Sequence, residues 1–134
     1  MNFTWPARVY YEDTDSGGVV YYANYLKFME RARTEYLRHF GVEQDVLINN
    51  ENIIFAVRHI NIDYHKPAFF NDLLLVSAQV TEYRKVSMVF SQSVVRDAGQ
   101  QLLCSGTVCI VSLHADTLKP CKIPQSILEV ISGN

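Results

Sequence analysis

The sequence is poor in the features that mark several protein classes. It has only three cysteines, Cys104, Cys109 and Cys121, in 134 residues. An odd, small count builds no disulfide framework, and points to reduced thiols in a cytoplasmic protein. Cys104 and Cys109 stand an odd number of positions apart in a strand-like run, so they face opposite sides and share no metal. Four prolines and six glycines are scattered, with no linker, low-complexity tract or repeat. No run approaches the ~18 apolar residues of a membrane span. Met1 to Asp15 carries Arg8, Glu12, Asp13 and Asp15 where a secretory leader needs an apolar core. Neither charge sign dominates: the formal net charge is -2, without a long Lys/Arg run, which argues against a nucleic-acid partner. What remains is 49% hydrophobic and 19% charged, as in a globular protein. The length suits one domain spanning 1–134.

Periodicity supplies the elements. Residues 5–12 are β-branched and aromatic and predict a strand, with Pro6 in its first positions, where a missing N–H costs little. A loop follows, Asp13-Thr14-Asp15-Ser16-Gly17-Gly18. Tyr25, Phe28, Met29, Ala32, Tyr36, Leu37 and Phe40 recur at helical spacing and predict one long helix over 22–40. Lys27, Glu30, Arg31, Arg33, Glu35 and Arg38 fall on its polar side, with Arg31 and Glu35 spaced as an ion pair. Gly41 has the position of a helix-ending glycine. After a loop the period becomes two, predicting strands over 53–65, 72–82, 86–96 and 101–113. Asn71-Asp72, Arg84-Lys85 and Asp97-Ala98-Gly99 mark the turns between them. A short helix over 125–131 closes the chain. Sequential strands joined by short turns pair antiparallel, giving an α+β layer of five strands and one long helix. One helix covers one sheet face, so the apolar side chains on the other face suggest subunit association.

The segment from Tyr11 to Tyr25 holds the candidate chemistry. A strand ends in an acidic loop, two glycines allow a sharp bend, and a long helix begins. The first N–H groups of a helix have no internal acceptors and carry partial positive charge. A carboxylate beside such an end provides a nucleophile or base facing an oxyanion site, the pair that acyl transfer requires. The same aspartates also serve simply as turn or helix caps elsewhere, and spacing alone leaves both readings open.

Asp13-Thr14-Asp15, Gly18-Val19-Val20, Tyr21-Tyr22 and Asn24-Tyr25 together resemble the signature of the 4-hydroxybenzoyl-CoA thioesterase family of hotdog proteins. Tyr10-Tyr11-Glu12 and the run from Phe28 to Glu35 look like its narrower Tol-Pal-associated (YbgC-type) branch of acyl-CoA thioesterases. The resemblance extends from about residue 5 to 130. It implies the hotdog fold, an antiparallel five-stranded sheet wrapped around one long helix. It implies hydrolysis of acyl-CoA with Asp15 as nucleophile or general base, and Asp13 as a loop-holding residue. The Tyr22 main-chain N–H would polarise the carbonyl, Gly17 and Gly18 would let the acyl group approach the backbone, and the Tyr22 ring would form a pocket wall. Thioesters are activated acyl donors with a good leaving group, so neither a Ser-His-Asp triad nor a metal or other cofactor is required. Basic residues of the 84–85 hairpin hold CoA phosphates in related thioesterases, which points to Arg84 and Lys85; their other reading is a solvated hairpin tip. Arg58, Lys66 and Arg96 are weaker candidates. Some relatives place a hydroxyl near the turn after Lys66, where this chain has Pro67 and Ala68. The family assembly implied is a homodimer joined sheet edge to sheet edge, or a homotetramer, with Asp15 of one subunit meeting strand residues of its neighbour. Tyr11, Tyr21, Tyr22, Tyr25 and Phe55 suggest a confined pocket and short or compact acyl groups. An alternative function is binding of acyl carrier protein or an envelope-biogenesis partner, with weak hydrolysis secondary.

Other clusters are less specific. His59, Asn61, Asp63 and His65 alternate along one strand face, but neighbours about 7 Å apart suit a polar groove better than one zinc ion. Ser87, Ser91, Ser93 and Ser105 lack a Gly-x-Ser-x-Gly elbow. His39 near the helix end suits a dipole partner.

Overall fold

The computed structural model describes residues 3–132. The elements are β1 (Phe3–Arg8), α1 (Asn24–His39), α2 (Gln44–Glu51), β2 (Ile53–Tyr64), β3 (Leu73–Tyr83), β4 (Ser87–Arg96), β5 (Gln101–His114) and α3 (Gln125–Ser132), with single 3-10 turns at Tyr11–Asp13 and Ala98–Gln100. The strands form one antiparallel sheet in the order β1-β3-β4-β5-β2. The helix α1 lies against β1, β3 and β4. Its buried side chains are Tyr25, Phe28, Met29, Ala32, Arg33, Tyr36 and Leu37. They pack on Leu74, Val76, Ala78, Met88, Phe90 and Val94 in the core.

The predicted helix and strands are present, and four details differ for physical reasons. The first strand stops at Arg8 because Asp13 captures the next backbone groups: its Oδ2 accepts the Tyr10 N–H at 2.8 Å and its own N–H donates to the Tyr10 carbonyl at 3.0 Å. Pro6 sits inside β1 rather than at its start, tolerated because β1 is an edge strand. Glu35 pairs with Arg38 instead of Arg31, since Arg38 also reaches Glu43 beyond the helix end. Arg33, expected on the polar side, is only 8% exposed.

Two features of topology depart from the sequence reading. The segment over 65–72 is not a hairpin: β2 pairs with β5 and β3 with β1, so the chain crosses the sheet between them. The turn residues Asn71 and Asp72 lie at the end of this crossover, where the Asn71 N–H donates to the Val9 carbonyl. The helix α2 fills the loop after α1; only Leu47 of it is buried, so it has almost no apolar stripe to betray it. Asn52 stops it in the left-handed conformation. The long helix ends at Gly41, as the sequence predicts, with φ 84°. The Gly41 N–H donates to the Arg38 carbonyl and the Val42 N–H to the Leu37 carbonyl, the Schellman pattern.

β2 and β5 run very close at Gly106, where an added Cβ would fall on the Asn61 carbonyl oxygen and 3.1 Å from Ile62 Cα. Gly106→Ala should therefore lower the unfolding free energy by about 1–3 kcal/mol. The check is a urea titration, where the midpoint should drop at unchanged slope; an unchanged midpoint would show that the two strands have room to part.

Candidate active site

The acidic loop is a closed miniature ladder. The Tyr21 N–H donates to the Asp13 carbonyl at 3.1 Å, Thr14 bridges Val20, and the Asp15 N–H donates to the Val19 carbonyl at 2.9 Å. Gly18 takes φ 80° at the tip and donates to the Asp15 carbonyl, a conformation that costs a glycine little. Asp13 is tied into this framework: its Oδ2 holds the Tyr10 N–H, and its carbonyl also accepts the Asn24 amide at 2.8 Å. Asp15 likewise has one carboxylate oxygen bound, and differs in exposure, Asp13 being half-buried. Asp15 is exposed, and its Oδ1 accepts the Gly17 N–H at 2.9 Å, while Oδ2 has no partner among the described residues. A Cβ at residue 17 would lie 3.3 Å from Oδ1, so glycine there keeps the carboxylate uncrowded.

The ladder delivers the chain to α1 through one turn. The helix begins at Asn24, two residues later than predicted, because Tyr21–Ala23 form a turn closed by the Asn24 N–H on the Tyr21 carbonyl at 2.8 Å. The Tyr22 N–H has no acceptor among the described residues. On its other side the Tyr22 carbonyl accepts the Tyr64 hydroxyl at 3.1 Å. Val20, Tyr22, Tyr25, Tyr64, His65, Lys66 and Pro67 line a groove of about 280 Å³. The rings of Tyr22 and Tyr25 each meet Tyr64 edge-on, at 6.3 and 5.5 Å. Burial raises the Tyr25 and Tyr64 hydroxyls above the usual tyrosine range, so they stay protonated. Tyr25 is also structural, accepting the Ala68 N–H at 3.0 Å.

Sequence reasoning does not single out Tyr64. Its partner is a main-chain carbonyl forty-two positions away, which no local pattern reveals. His65 stands out in the sequence only as part of a strand face; its Nε2 lies 2.9 Å from Ser105 Oγ on β5. Among the described residues, no three His, Cys, Asp or Glu side chains converge as metal ligands. Burial pushes the Cys104 thiol up to about 11, leaving a protonated core group.

The basic candidates separate. Arg84 and Arg58 line one hollow of about 240 Å³ with Tyr83, Ser87 and Cys109. Arg84 is already held by Glu82 at 2.9 Å, and both are well exposed. Lys85 lies next to it on the hairpin, where its carbonyl accepts the Ile123 N–H. Arg96 is committed elsewhere: it pairs with Asp72 at 3.0 Å, donates to the Pro67 carbonyl and lies over the Phe69 ring. Lys66 borders the aromatic groove, not the hairpin hollow.

Comparison with known proteins completes the picture. The chain matches the Thioesterase superfamily over residues 17–103. It is 44% identical over 126 residues to the acyl-CoA thioester hydrolase YbgC of Escherichia coli O6:H1, covering 94% of this chain and 92% of that protein. It is 41% identical over 125 residues to the acyl-CoA thioesterase YbgC of Haemophilus influenzae, covering 93% and 90%. The crystal structure of a 1,4-dihydroxy-2-naphthoyl-CoA thioesterase from Synechocystis superposes with a TM-score of 0.90 at 25% identity, covering 98% and 96%. The architecture is the hotdog fold, and the chain belongs to the thioesterase superfamily, within its YbgC group of acyl-CoA thioester hydrolases.

Proposed function

We propose that the chain hydrolyses acyl-CoA thioesters of short or compact acyl groups, with Asp15 as nucleophile or general base and the Tyr22 main-chain N–H polarising the thioester carbonyl. The observation that carries this reading is an exposed Asp15 carboxylate with an unshared oxygen, on the loop that leads into the unsatisfied Tyr22 N–H in the turn before α1. As a general base, Asp15 takes a proton from water as the oxygen attacks the carbonyl carbon. As a nucleophile, its oxygen forms a mixed anhydride that water then opens. In both, the C–S bond breaks, CoA leaves as thiolate, and negative charge gathers on the former carbonyl oxygen, where the Tyr22 N–H and the positive end of α1 stabilise it. The open Gly17-Gly18 backbone gives the acyl group its approach. Tyr22, Tyr25 and Tyr64 wall the groove that would take the acyl group, whereas Phe55 lines a separate hollow and Tyr11 packs on Phe70.

Asp15→Asn keeps size and removes both nucleophile and base. The variant should fold and bind acyl-CoA, with kcat lower by at least about 100-fold. Asp13→Asn should cost less in kcat and more in stability, because Asp13 supports the loop. Steady-state thiol release from both variants tests this; wild-type turnover by Asp15→Asn would remove Asp15 from the mechanism, and loss of turnover in Asp13→Asn alone would reverse the two assignments.

The phosphates of CoA are assigned to Arg84 and Lys85, with Arg58 sharing the Arg84 hollow. Arg58 and Tyr64 stand about 20 Å apart along β2 at ~3.3 Å per residue, so an extended ligand is needed to engage both grooves. The Arg84→Ala, Lys85→Ala double variant should show a raised KM for acyl-CoA at nearly unchanged kcat, the mark of lost uniform binding. On an acyl-pantetheine without the nucleotide it should match wild type. Identical KM values for acyl-CoA would dismiss the hairpin as the phosphate site.

The active form is a dimer or tetramer, with each site completed by strand residues of a neighbour. In support, β2 is an edge strand whose outer side has no partner among the described residues. Sedimentation equilibrium at micromolar concentration should give a multiple of the 15.4 kDa chain mass; a monomer would contradict the shared site.

A further inference from the structure

Arg33 is the least expected residue of α1. A guanidinium only 8% exposed needs a counter-charge, yet among the described residues its side chain bonds only the neutral Gln92, whose Oε1 accepts from Nη1 at 3.0 Å. No carboxylate lies within ion-pair distance of it among the described residues. Gln92 is itself fixed, donating from Nε2 to the Met29 and Ser77 carbonyls at 3.0 and 3.2 Å. The guanidinium is thus held in place beside a hollow of about 270 Å³ between α1 and the β2–β5 edge of the sheet. Burial draws the Arg33 charge below the usual arginine range, and Glu30 opposes that only from a distance.

Glu30, Arg33, Thr34 and Leu37 line this hollow from α1. Their spacing of three and four places them in one stripe along the helix. The stripe carries one positive and one negative charge that do not pair with each other. Across the hollow stand Phe55 and Val57 of β2, the strand with the free outer edge. If a second β2 continues the sheet antiparallel about a two-fold axis, the second α1 lies on the same sheet face, antiparallel to the first. A two-fold interface brings residue i to residue j and j to i.

We propose that the stripe is the seam between two copies of this chain, in which Glu30 of the partner subunit neutralises Arg33, the pair being made twice. This rests on the dimer reading above and specifies it. The interface then supplies the counter-charge that the isolated chain lacks, and the two charges set the register in which the helices meet. A small anion would satisfy Arg33 alone and leave the stripe pattern and the free β2 edge unexplained.

Charge exchange in the full-length chain tests the pair. Glu30→Lys sets an ammonium group against Arg33 twice, and Arg33→Glu sets a second carboxylate against Glu30 twice. Each variant alone should dimerise at least about 100-fold more weakly than wild type, since like charges across an interface cost several kcal/mol. Mixing the two at equal concentration should restore a heterodimer, visible by native mass spectrometry. In that heterodimer one of the two contacts pairs the introduced charges and the other the original ones, so both are again opposite in sign. Glu30 is exposed, so Glu30→Lys should fold. Should Arg33→Glu not fold, Arg33→Gln keeps a donor for Gln92, and its mixture with Glu30→Lys should still favour the heterodimer over the Glu30→Lys homodimer. Wild-type dimerisation by folded Glu30→Lys, or no preference for the mixed dimer, would overturn the pairing while leaving the dimer and the hydrolytic reading in place. A monomeric wild type would overturn the pairing together with the dimer reading, and leave the hydrolytic one to the Asp15 variants.

Discussion

Both main-chain groups of Ala68 are taken up by the loop that bears Asp15 and by the first turn of α1, and the rest of the site depends on that junction. The Ala68 N–H donates to the Tyr25 hydroxyl and its carbonyl accepts the Val20 N–H, at 3.0 and 2.9 Å. The residue is fully buried, so neither group has water as an alternative, and breaking either leaves an unsatisfied polar atom. The crossover from β2 to β3 is therefore more than a connection. It is the surface on which the acidic loop is set and against which the helix start is aimed. Val19 adds a bridge to Phe69 one residue further along.

The crossover is in turn pinned by one partly buried cation. Arg96 of β4 binds Asp72, the Pro67 carbonyl, Gln101 and the face of Phe69. Asp72 also accepts the Phe69 N–H at 2.8 Å. A second polar tie, Gln92 between Met29 and Ser77, holds the middle of α1 to the sheet. The helix is thus fixed at its start by Tyr25 and at its middle by Gln92, which is how a loop on the surface acquires the rigidity that a positioned carboxylate needs.

What can be read from the sequence follows a physical division. The α1 stripe, the Gly41 stop and the period-two strands are local patterns, and they are legible. So is the acidic loop with its double glycine, since its chemistry lies within one short run of consecutive residues. Arg33 escapes such reading because its partner is on β4, and helical periodicity sorts residues by type without knowing of a distant amide. The β2 crossover escapes it because Asn71-Asp72 has turn composition, while the choice of β5 as the partner of β2 is made by pairing far along the chain. Tyr64 and His65 enter the groove through contacts with Tyr22 and Ser105 that have no sequence signature. Where the resemblance to a family supplies roles, it does so for Asp15 and Tyr22; the geometry adds that Asp13 is half-buried and tied to Tyr10 and Asn24, while Asp15 is exposed.

The proposed catalysis rests on the Tyr22 main-chain N–H, in the turn before α1, polarising the thioester carbonyl before Asp15 acts. The direct measurement is the carbonyl carbon resonance of a ¹³C-labelled acyl-CoA held intact by the Asp15→Asn chain. A hydrogen bond from Tyr22 predicts a downfield displacement of the bound carbonyl relative to free acyl-CoA. A bound carbonyl resonating where the free one does would contradict it.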